Sequence, residues 1–273
     1  MCCCVLLCTG AEATLFEIGD RVWTAGVINR NGTNADFMAV DERIVGFAPK
    51  SLPSSTAAAV PLTLLTAWEG IFEGLGIQPQ HDQNVGKTLL ILPGAGGVGS
   101  LVIQLAKKIA GLTVIATASR PESEAACMAL GADYVINHRN PLKEQLEAKG
   151  IKGVDYIYNA FDTAANFEQY CELINPLGKI VSIVETKTDL PLSKLMAKRV
   201  TFVWELMFTR ALFGVDMIKQ HHILNNGTKL IDSGLLELPA VTVLPYSVES
   251  LQEAHRQQES GTMIGKQVLS RTA

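Results

Sequence analysis

An apolar run that ends in a glycine-rich turn and continues into an amphipathic segment is the feature that most constrains this chain. Residues 88–92 read Thr-Leu-Leu-Ile-Leu, and Gly94, Gly96 and Gly99 follow in G-x-G-x-x-G spacing. Apolar residues then recur at three- and four-residue intervals from Val98 to Ile109, which predicts a helix that ends at Gly111. The sequence therefore predicts a buried strand, a tight turn and a helix in immediate succession.

The glycines of this turn suit a pyrophosphate. The first glycine permits a tight turn, the second lets the backbone approach the anion, and the third lets the helix pack against the strand. Free amides at the helix N-terminus then face the negative charge. Tight turns also use glycine for steric reasons alone, but here a second β-branched strand, residues 113–117, follows the helix. We therefore interpret Gly94, Gly96 and Gly99 as part of a dinucleotide-binding turn.

The residues that follow the second strand indicate which dinucleotide is bound. An NAD site has an Asp or Glu near this point, which accepts hydrogen bonds from the ribose 2′-hydroxyl. Ser119 and Arg120 stand there instead, and a hydroxyl with a guanidinium suits a 2′-phosphate, which favours NADPH. A structural alternative is that Ser119 caps the next helix, Pro121 occupies its first turn and Arg120 is solvated.

The alternation of elements predicts an α/β fold with two domains. From residue 87 to 204, apolar strands alternate with helical stretches, which is typical of a doubly wound parallel sheet of six strands. The strands are expected near 88–92, 113–117, 133–136, 154–158, 179–184 and 200–204, with a turn at Pro176 and Gly178 before the fifth. Residues 15–50 suggest antiparallel β structure with strands at 20–23 and 36–40, and 54–76 suggest a helix. Residues 215–233 and 247–259 are expected to be helical, and 240–244 and 266–270 extended.

Composition excludes several classes of protein. A net charge of −4 without a basic tract argues against nucleic-acid binding. The six cysteines, at 2, 3, 4, 8, 127 and 171, show no C-x-x-C spacing and no secreted disulfide framework, which indicates a reducing compartment, the cytoplasm. The apolar first eight residues are too short for a signal peptide or a membrane span. We expect them to be an irregular start without function; a metal site or palmitoylation are the alternatives.

Four segments together resemble a known superfamily. They are Pro61–Glu69, Gly94–Ser100, Leu130–Asn137 and Gly261–Leu269. They are similar to the medium-chain dehydrogenase/reductase superfamily, and within it to the quinone oxidoreductase-like branch often labelled zinc-type alcohol dehydrogenase-like. The resemblance runs from about Leu15 to the C-terminus. Residues 1–11 do not resemble the first strands of the family's catalytic domain, so an N-terminally truncated member with impaired activity is a possible outcome.

The resemblance implies a domain plan and a set of cofactor contacts. It implies a partial GroES-like, mainly β catalytic domain at residues 12–66 and 205–273, and a Rossmann domain at 67–204. Gly96, Gly97 and Val98 would cradle the pyrophosphate, and His138 would join Ser119 and Arg120 at the 2′-phosphate. The residues implied along the nicotinamide half are Thr66, Ala160, Ile183, Val184, Phe202 and Trp204, with Lys266 reaching the cofactor from the other domain. Core packing is the alternative for the apolar strand-end residues, and solvation for His138.

The reaction implied by the resemblance is hydride transfer from nicotinamide C4 of NADPH to a small molecule: a quinone, an enone or a related carbonyl. The protein would position the ring and the substrate and exclude water. No general acid stands out among Tyr156, Tyr158 and Asp162. The resemblance also implies a homodimer, and the apolar stretch 200–204 could form the edge that pairs with a second copy, unless Met207 and Phe208 bury it.

Whether the chain can bind zinc is judged from the number of ligands that a zinc site needs. A catalytic zinc needs three Cys, His or carboxylate ligands and a structural zinc needs four. The candidates, which are His221, His222, His255, Cys127 and Cys171, do not form such a set by spacing. We therefore expect no bound metal and a zinc-independent reductase. An impaired NADPH-binding remnant and a zinc-dependent alcohol dehydrogenase are the alternatives.

Overall fold

The computed structural model describes residues 1–271, and their contacts form two compact units, Thr66–Leu206 and Met1–Leu65 with Met207–Ala273. The strands, in chain order, are β1 (Cys2–Val5), β2 (Arg21–Thr24), β3 (Val45–Phe47), β4 (Thr88–Leu92), β5 (Thr113–Thr117), β6 (Tyr134–Ile136), β7 (Val154–Asn159), β8 (Ile174–Ser182), β9 (Thr201–Trp204), β10 (Val241–Pro245) and β11 (Lys266–Ser270). The α-helices are α1 (Ser54–Ala57), α2 (Pro61–Trp68), α3 (Gly97–Gln104), α4 (Pro121–Ala129), α5 (Leu142–Glu147), α6 (Thr163–Leu173), α7 (Thr209–Phe213), α8 (Ile218–Asp232) and α9 (Val248–Glu259). Single π-helical segments, Glu69–Gly74 and Leu105–Ile109, continue α2 and α3.

The unit Thr66–Leu206 is built on a six-stranded sheet in the order β6-β5-β4-β7-β8-β9. Every neighbouring pair is parallel. Counted from β4, this order is 3-2-1-4-5-6, the strand order of a doubly wound dinucleotide-binding fold. The predicted fold class, an α/β chain with a six-stranded Rossmann sheet, is confirmed.

Continuous apolar strands form the centre of this sheet because helices cover it. Residues 89–92 of β4 and 114–117 of β5 are buried throughout, which is typical of strands with both faces covered. One core cluster joins Leu90 of β4 and Ile157 of β7 to helix residues such as Leu146 and Phe167. The sheet is therefore a rigid platform, and its strand ends are held in fixed register.

Two proline positions differ from the sequence-based expectation. The helix expected over 54–76 is interrupted, because α1 ends at Ala57 and α2 begins anew at Pro61, where a missing N–H costs nothing. The turn expected at Pro176 and Gly178 lies inside β8 as an irregularity, with Leu177 at φ 65°. The pairing of β7 with β8 changes register between Val154 and Tyr156 at this point.

The other unit contains an antiparallel sheet β1-β2-β3 and a parallel pair β10-β11. The expectation of an irregular N-terminus is wrong, because β1 pairs with β2 from Cys2 opposite Thr24 to Val5 opposite Arg21. The strand expected at 36–40 is also wrong. Phe37 is 77% exposed, so the alternation there marks no buried face. The GroES-like assignment of this unit stays a prediction.

Helix α8 packs closely on β3 in this unit. A Cβ at Gly46 would lie 2.5 Å from Cβ of Leu224, and a Cβ at Gly227 would lie 2.1 Å from Cδ2 of Leu64. At Gly46 a larger residue would clash with the helix, whereas at Gly227 the neighbouring atom is the flexible end of the Leu64 side chain. No helix among residues 1–271 is long and apolar enough to cross a bilayer.

Candidate dinucleotide site

The carboxyl ends of parallel strands meet at one edge of the sheet, where ligands of such folds bind. In register at this edge lie the last residues of four strands, Leu92, Asn159, Ser182 and Trp204. Backbone hydrogen bonds extend two of the ladders further, from Ala160 N to Leu92 O at 2.6 Å and from Ile183 N to Asn159 O at 3.0 Å. The predicted site residues that follow strands at this edge are Gly94, Ser119, His138, Ala160, Ile183 and Val184.

The glycine turn after β4 contains both packed and open positions. A Cβ at Gly99 would lie 2.1 Å from the Pro93 carbonyl oxygen, and a Cβ at Gly94 would lie 2.7 Å from Sγ of Cys127. These two glycines are buried, and they permit the close packing of α3 and α4 against the strands. A Cβ at Gly96, in contrast, would meet no atom within 4 Å. Gly96 is therefore the point at which a ligand can approach the backbone.

The first turn of α3 is suited to an anion. The helix begins at Gly97, its N-cap is Gly96, and no side chain caps it. The first N–H groups of a helix have no partner within the helix and carry its positive dipole end. Gly97 and Val98 are half-buried, so this turn lies at the surface of the unit. The residues present thus fit the pyrophosphate group that the sequence predicts.

Ser119 and Arg120 follow Ala118, the first residue after β5, and both are half-buried. Arg120 is the N-cap position of α4, and Pro121 is its first residue. The cap is made by Ser123, whose hydroxyl donates to Arg120 O at 2.8 Å and lies 3.2 Å from Arg120 N. The alternative in which Ser119 caps this helix is therefore wrong.

His138 follows β6 and has an unusual environment. Its Nδ1 is buried and has no hydrogen-bond partner. Burial, with a smaller effect of the Arg139 charge, lowers the pKa of His138, so the ring is neutral at neutral pH. A phosphate dianion beside the ring would raise the same pKa, because an opposite charge favours the protonated form. The structure places His138 at the strand edge, where its ring lies 6.2 Å from that of Phe161.

The residues implied along the nicotinamide half differ in their surroundings. The ring of Phe202 packs against that of Phe167 at a centroid distance of 5.9 Å, within the core of the sheet. This agrees with core packing, the alternative to a cofactor contact. Trp204 is 49% exposed and contacts Phe202 edge to face. Thr66 is buried, and its carbonyl accepts a hydrogen bond from the Tyr158 hydroxyl at 2.7 Å. Of Thr66, Phe202 and Trp204, the side chain of Trp204 at the strand end is the most exposed to solvent.

Lys266 belongs to the other unit, where it begins β11. Its backbone N donates to Ala240 O at 2.8 Å, and burial lowers the pKa of its ammonium group. The role implied for Lys266 at the cofactor stays a prediction.

A buried polar network at the ends of β7 and β8 was missed by sequence reasoning. The Asn159 amide lies 2.9 Å from the Ser182 hydroxyl and 3.0 Å from that of Thr163. The side-chain oxygen Oδ1 of Asn159 accepts a hydrogen bond from the Tyr170 hydroxyl at 2.7 Å, and the Thr163 hydroxyl donates to Val184 O. Asn159, Ser182 and Tyr170 are each 0% exposed. The network fixes the backbone immediately beyond both strands, where Ala160 and Val184 lie.

None of the three acid candidates is favoured by its surroundings. The Tyr158 hydroxyl donates to Thr66 O, and burial raises its pKa well above the ordinary value. The Asp162 carboxylate accepts from Ala165 N at 3.0 Å and caps α6. Tyr156 pairs with Lys179, three positions before the end of β7, and burial raises its pKa. We therefore assign proton transfer to none of them.

Across residues 1–271, no three His, Cys, Asp or Glu side chains are grouped so that they could hold a metal ion. Both ring nitrogens of His221 lie within hydrogen-bond distance of protein groups. Nδ1 is 2.7 Å from Val45 O, and Nε2 is 2.9 Å from the Asn225 side-chain amide. His255 is exposed on α9.

Comparison with known proteins gives consistent matches over most of the chain. The zinc-binding dehydrogenase family matches residues 97–219. A zinc-type alcohol dehydrogenase-like protein of Staphylococcus aureus (strain Mu50) is 43% identical over 263 residues, which are 96% of this chain and 78% of that protein. The chloroplastic NADPH-dependent alkenal/one oxidoreductase of Arabidopsis thaliana is 33% identical over 157 residues, which are 58% of this chain and 37% of that protein. A crystal structure from Rhizobium etli, provisionally assigned as a zinc-dependent alcohol dehydrogenase, superposes with a TM-score of 0.91 at 39% identity, over 98% of this chain and 78% of that chain.

Proposed function

The chain belongs to the zinc-type alcohol dehydrogenase-like proteins of the medium-chain dehydrogenase/reductase superfamily, and from this membership we propose that it is an NADPH-dependent, zinc-independent reductase of quinones, enones or related carbonyls. The family is one of oxidoreductases with nicotinamide cofactors. The preference for NADPH and the substrate class are our inference. The single observation that carries the cofactor choice is the Ser119–Arg120 pair just beyond β5.

The position of this pair supports a 2′-phosphate. In this fold the residue after the second strand meets the ribose of the adenosine half, and a carboxylate there selects NAD. Here a hydroxyl and a guanidinium occupy the place where an NAD site has a carboxylate. Arg–phosphate hydrogen bonds are charge-assisted and roughly twice as strong as neutral ones. Neither of these two side chains carries the negative charge that would repel a phosphate.

Different residues of the sheet edge would bind the pyrophosphate and the nicotinamide ring of the cofactor. Gly96, Gly97 and Val98 would hold the pyrophosphate through backbone N–H groups, while the buried Gly94 and Gly99 keep the turn and helix in place. Bound NADPH supplies a hydride at nicotinamide C4. Ala160 and Val184, fixed by the polar network, would position the ring and exclude water from one of its faces.

The proposed substrate class follows from the relatives. The relative from Arabidopsis thaliana is named an alkenal/one oxidoreductase, so activated alkenes are the first compounds to test. Metal-free chemistry is proposed because the described residues offer no grouped set of three ligands at this edge. Stoichiometric zinc in the active purified protein, lost together with activity on chelation, would contradict that part of the proposal.

Calorimetric titration tests the cofactor choice. We expect NADPH to bind the wild-type chain about 10- to 100-fold more tightly than NADH, since a charged hydrogen bond contributes about 1.5 to 3 kcal/mol. Arg120→Asp is expected to reverse this preference, because its carboxylate repels the phosphate and can accept from a ribose hydroxyl. Lys152→Asp makes the same charge change at an exposed position before β7, at the opposite edge, and should leave the preference unchanged.

Equal affinities for NADPH and NADH in the wild-type chain would contradict the role of Ser119 and Arg120. Turnover is tested separately, by NADPH oxidation with a panel of quinones and enones. Binding of NADPH without oxidation by any member of the panel would contradict the reductase and support an impaired dinucleotide-binding protein.

We also infer that the protein is a cytoplasmic homodimer joined through β9. This strand lies at the edge of the six-stranded sheet, and Thr201 and Trp204 are exposed on it. An exposed edge strand can pair with a second copy and extend the sheet. The six free thiols are typical of a reducing compartment.

Light scattering on the purified chain tests the homodimer. We expect twice the mass of one chain for the wild type, and the mass of one chain for Thr201→Lys, because an edge lysine opposes strand pairing. Ser193→Lys adds the same side chain at an exposed position before the strand and should leave the dimer intact. A monomeric wild type would exclude the dimer.

A further inference from the structure

The dipeptide Asn-Gly occurs twice in this chain, and its two copies have different surroundings. Asn31–Gly32 lies in the irregular segment between β2 and β3, whereas Asn226–Gly227 lies inside helix α8. Both asparagines are exposed to solvent. The two copies therefore have the same covalent structure and both meet water, and they differ in how the backbone around them is held.

Asparagine is a thermolabile residue because a backbone nitrogen can attack its side-chain amide. The nitrogen of the next residue forms a bond to the asparagine Cγ, the bond from Cγ to Nδ2 breaks, and ammonia leaves with the proton of the backbone amide. Water then opens the five-membered succinimide at either carbonyl and leaves an aspartate or an isoaspartate. The reaction needs only water, and glycine favours it because no Cβ obstructs the attacking nitrogen.

The surroundings of Asn31–Gly32 leave this reaction open. Residues 25–40 contain neither helix nor strand. Among residues 1–271, no hydrogen bond engages the Gly32 N–H or the Asn31 side chain. A Cβ at Gly32 would meet no atom within 4 Å, and its φ lies outside the left-handed region. The Gly32 nitrogen can therefore approach Cγ of Asn31 without breaking a hydrogen bond or displacing a packed neighbour.

The surroundings of Asn226–Gly227 oppose the same reaction. In an α-helix each N–H bonds to the carbonyl four residues earlier, so α8 engages the Gly227 nitrogen and keeps the backbone of Asn226 in helical geometry. Gly227 is buried, and a Cβ there would lie 2.1 Å from Cδ2 of Leu64. Ring closure would therefore have to break helical hydrogen bonds and disturb the packing of α8 against α2.

We propose that Asn31 is a site of spontaneous deamidation through a succinimide formed with Gly32, and that Asn226 is protected from it by α8. The modified chain carries an aspartate or an isoaspartate at position 31 and one more negative charge. The isoaspartate form also has one additional methylene group in its backbone between β2 and β3. This modification site is independent of the dinucleotide site proposed above.

The test is incubation of the purified full chain at mildly alkaline pH, followed by digestion in acid and mass spectrometry of the peptides that contain residues 31 and 226. We expect the residue 31 peptide to gain the mass difference between an amide and an acid at least tenfold faster than the residue 226 peptide. Isoaspartate should be among its products. The rate should rise with pH, because the attacking nitrogen must lose its proton. In a chain unfolded with guanidinium chloride the two rates should become equal within twofold, since α8 no longer protects Asn226.

Gly32→Ala isolates the attack by the backbone nitrogen. Its Cβ has free space, so the fold should be unchanged, but the methyl group obstructs the nitrogen and deamidation of Asn31 should slow at least tenfold. Gly10→Ala is the matched control, because Gly10 is exposed and its Cβ would also meet no atom within 4 Å; the rate at Asn31 should stay within twofold of the wild type. Equal rates at the two asparagines of the folded chain, an unchanged rate in Gly32→Ala, or aspartate without isoaspartate at position 31 would overturn the proposal. So would an Asn226 that stays slow in the unfolded chain.

Discussion

Gly99→Ala is expected to lower the free energy of unfolding by about 3 kcal/mol, since overpacking of a closely packed site costs up to this amount. The new Cβ would lie 2.1 Å from the Pro93 carbonyl oxygen and 2.7 Å from that of Gly94. Both oxygens belong to the backbone and cannot rotate away as a side chain could. The first turn of α3 must therefore move away from the strand end. Urea unfolding of the wild type and the variant measures the difference.

Gly96→Ala is the matched control, three residues earlier in the same turn. Its backbone, at φ −75° and ψ 172°, suits any residue, and its Cβ would meet nothing within 4 Å. We expect it to cost about 1 kcal/mol or less, the loss of a glycine N-cap. Its affinity for NADPH should nevertheless fall at least tenfold, because the methyl group occupies the approach of the pyrophosphate.

The two glycines thus separate folding from binding. A Gly99→Ala variant as stable as the wild type would contradict the close approach of helix and turn. Unaltered NADPH affinity in Gly96→Ala would contradict the proposed position of the pyrophosphate, even if NADPH still binds elsewhere. The proposal that Arg120 selects NADPH is tested by other variants and does not depend on this outcome.

The sheet could be predicted from sequence because its strands carry their own signals. β4 and β5 occupy 88–92 and 113–117 as expected, since each is a continuous apolar run that follows a glycine-containing turn. The N-terminal strand could not be predicted in this way. Cys2–Val5 is short and has no alternation of polar and apolar residues, and it becomes a strand because β2 offers a free edge for pairing.

The site shows the same division. The glycine turn is one continuous segment of the sequence, and the Ser119–Arg120 pair is another. The spacing within each segment therefore suggests a ligand without knowledge of the fold. The polar network is not contiguous, because Asn159 and Ser182 meet only through the register of β7 with β8. A polar residue at the last position of each strand was the available signal, and it was not sufficient to identify the partner.

The largest expected effect in the sheet is that of Asn159→Leu, which should lower the free energy of unfolding by about 4 kcal/mol. Leucine is similar in size, so the loss arises from polar groups left without partners in the core. The Asn159 side chain accepts from the Tyr170 hydroxyl and from Phe161 N, and its amide serves Ser182 and Thr163. An amide has two hydrogens, so its contacts with the two hydroxyls and Phe161 O share them.

Tyr170→Phe is the control that removes one bond of the same network. The ring remains and only the hydroxyl is lost, so the expected cost is about 1 kcal/mol. The double variant Asn159→Leu/Tyr170→Phe should cost less than the sum of the two, because the tyrosine hydroxyl no longer needs Asn159. Urea unfolding of the four proteins gives this coupling. Strict additivity would mean that the contact of 2.7 Å between the two side chains contributes nothing to stability.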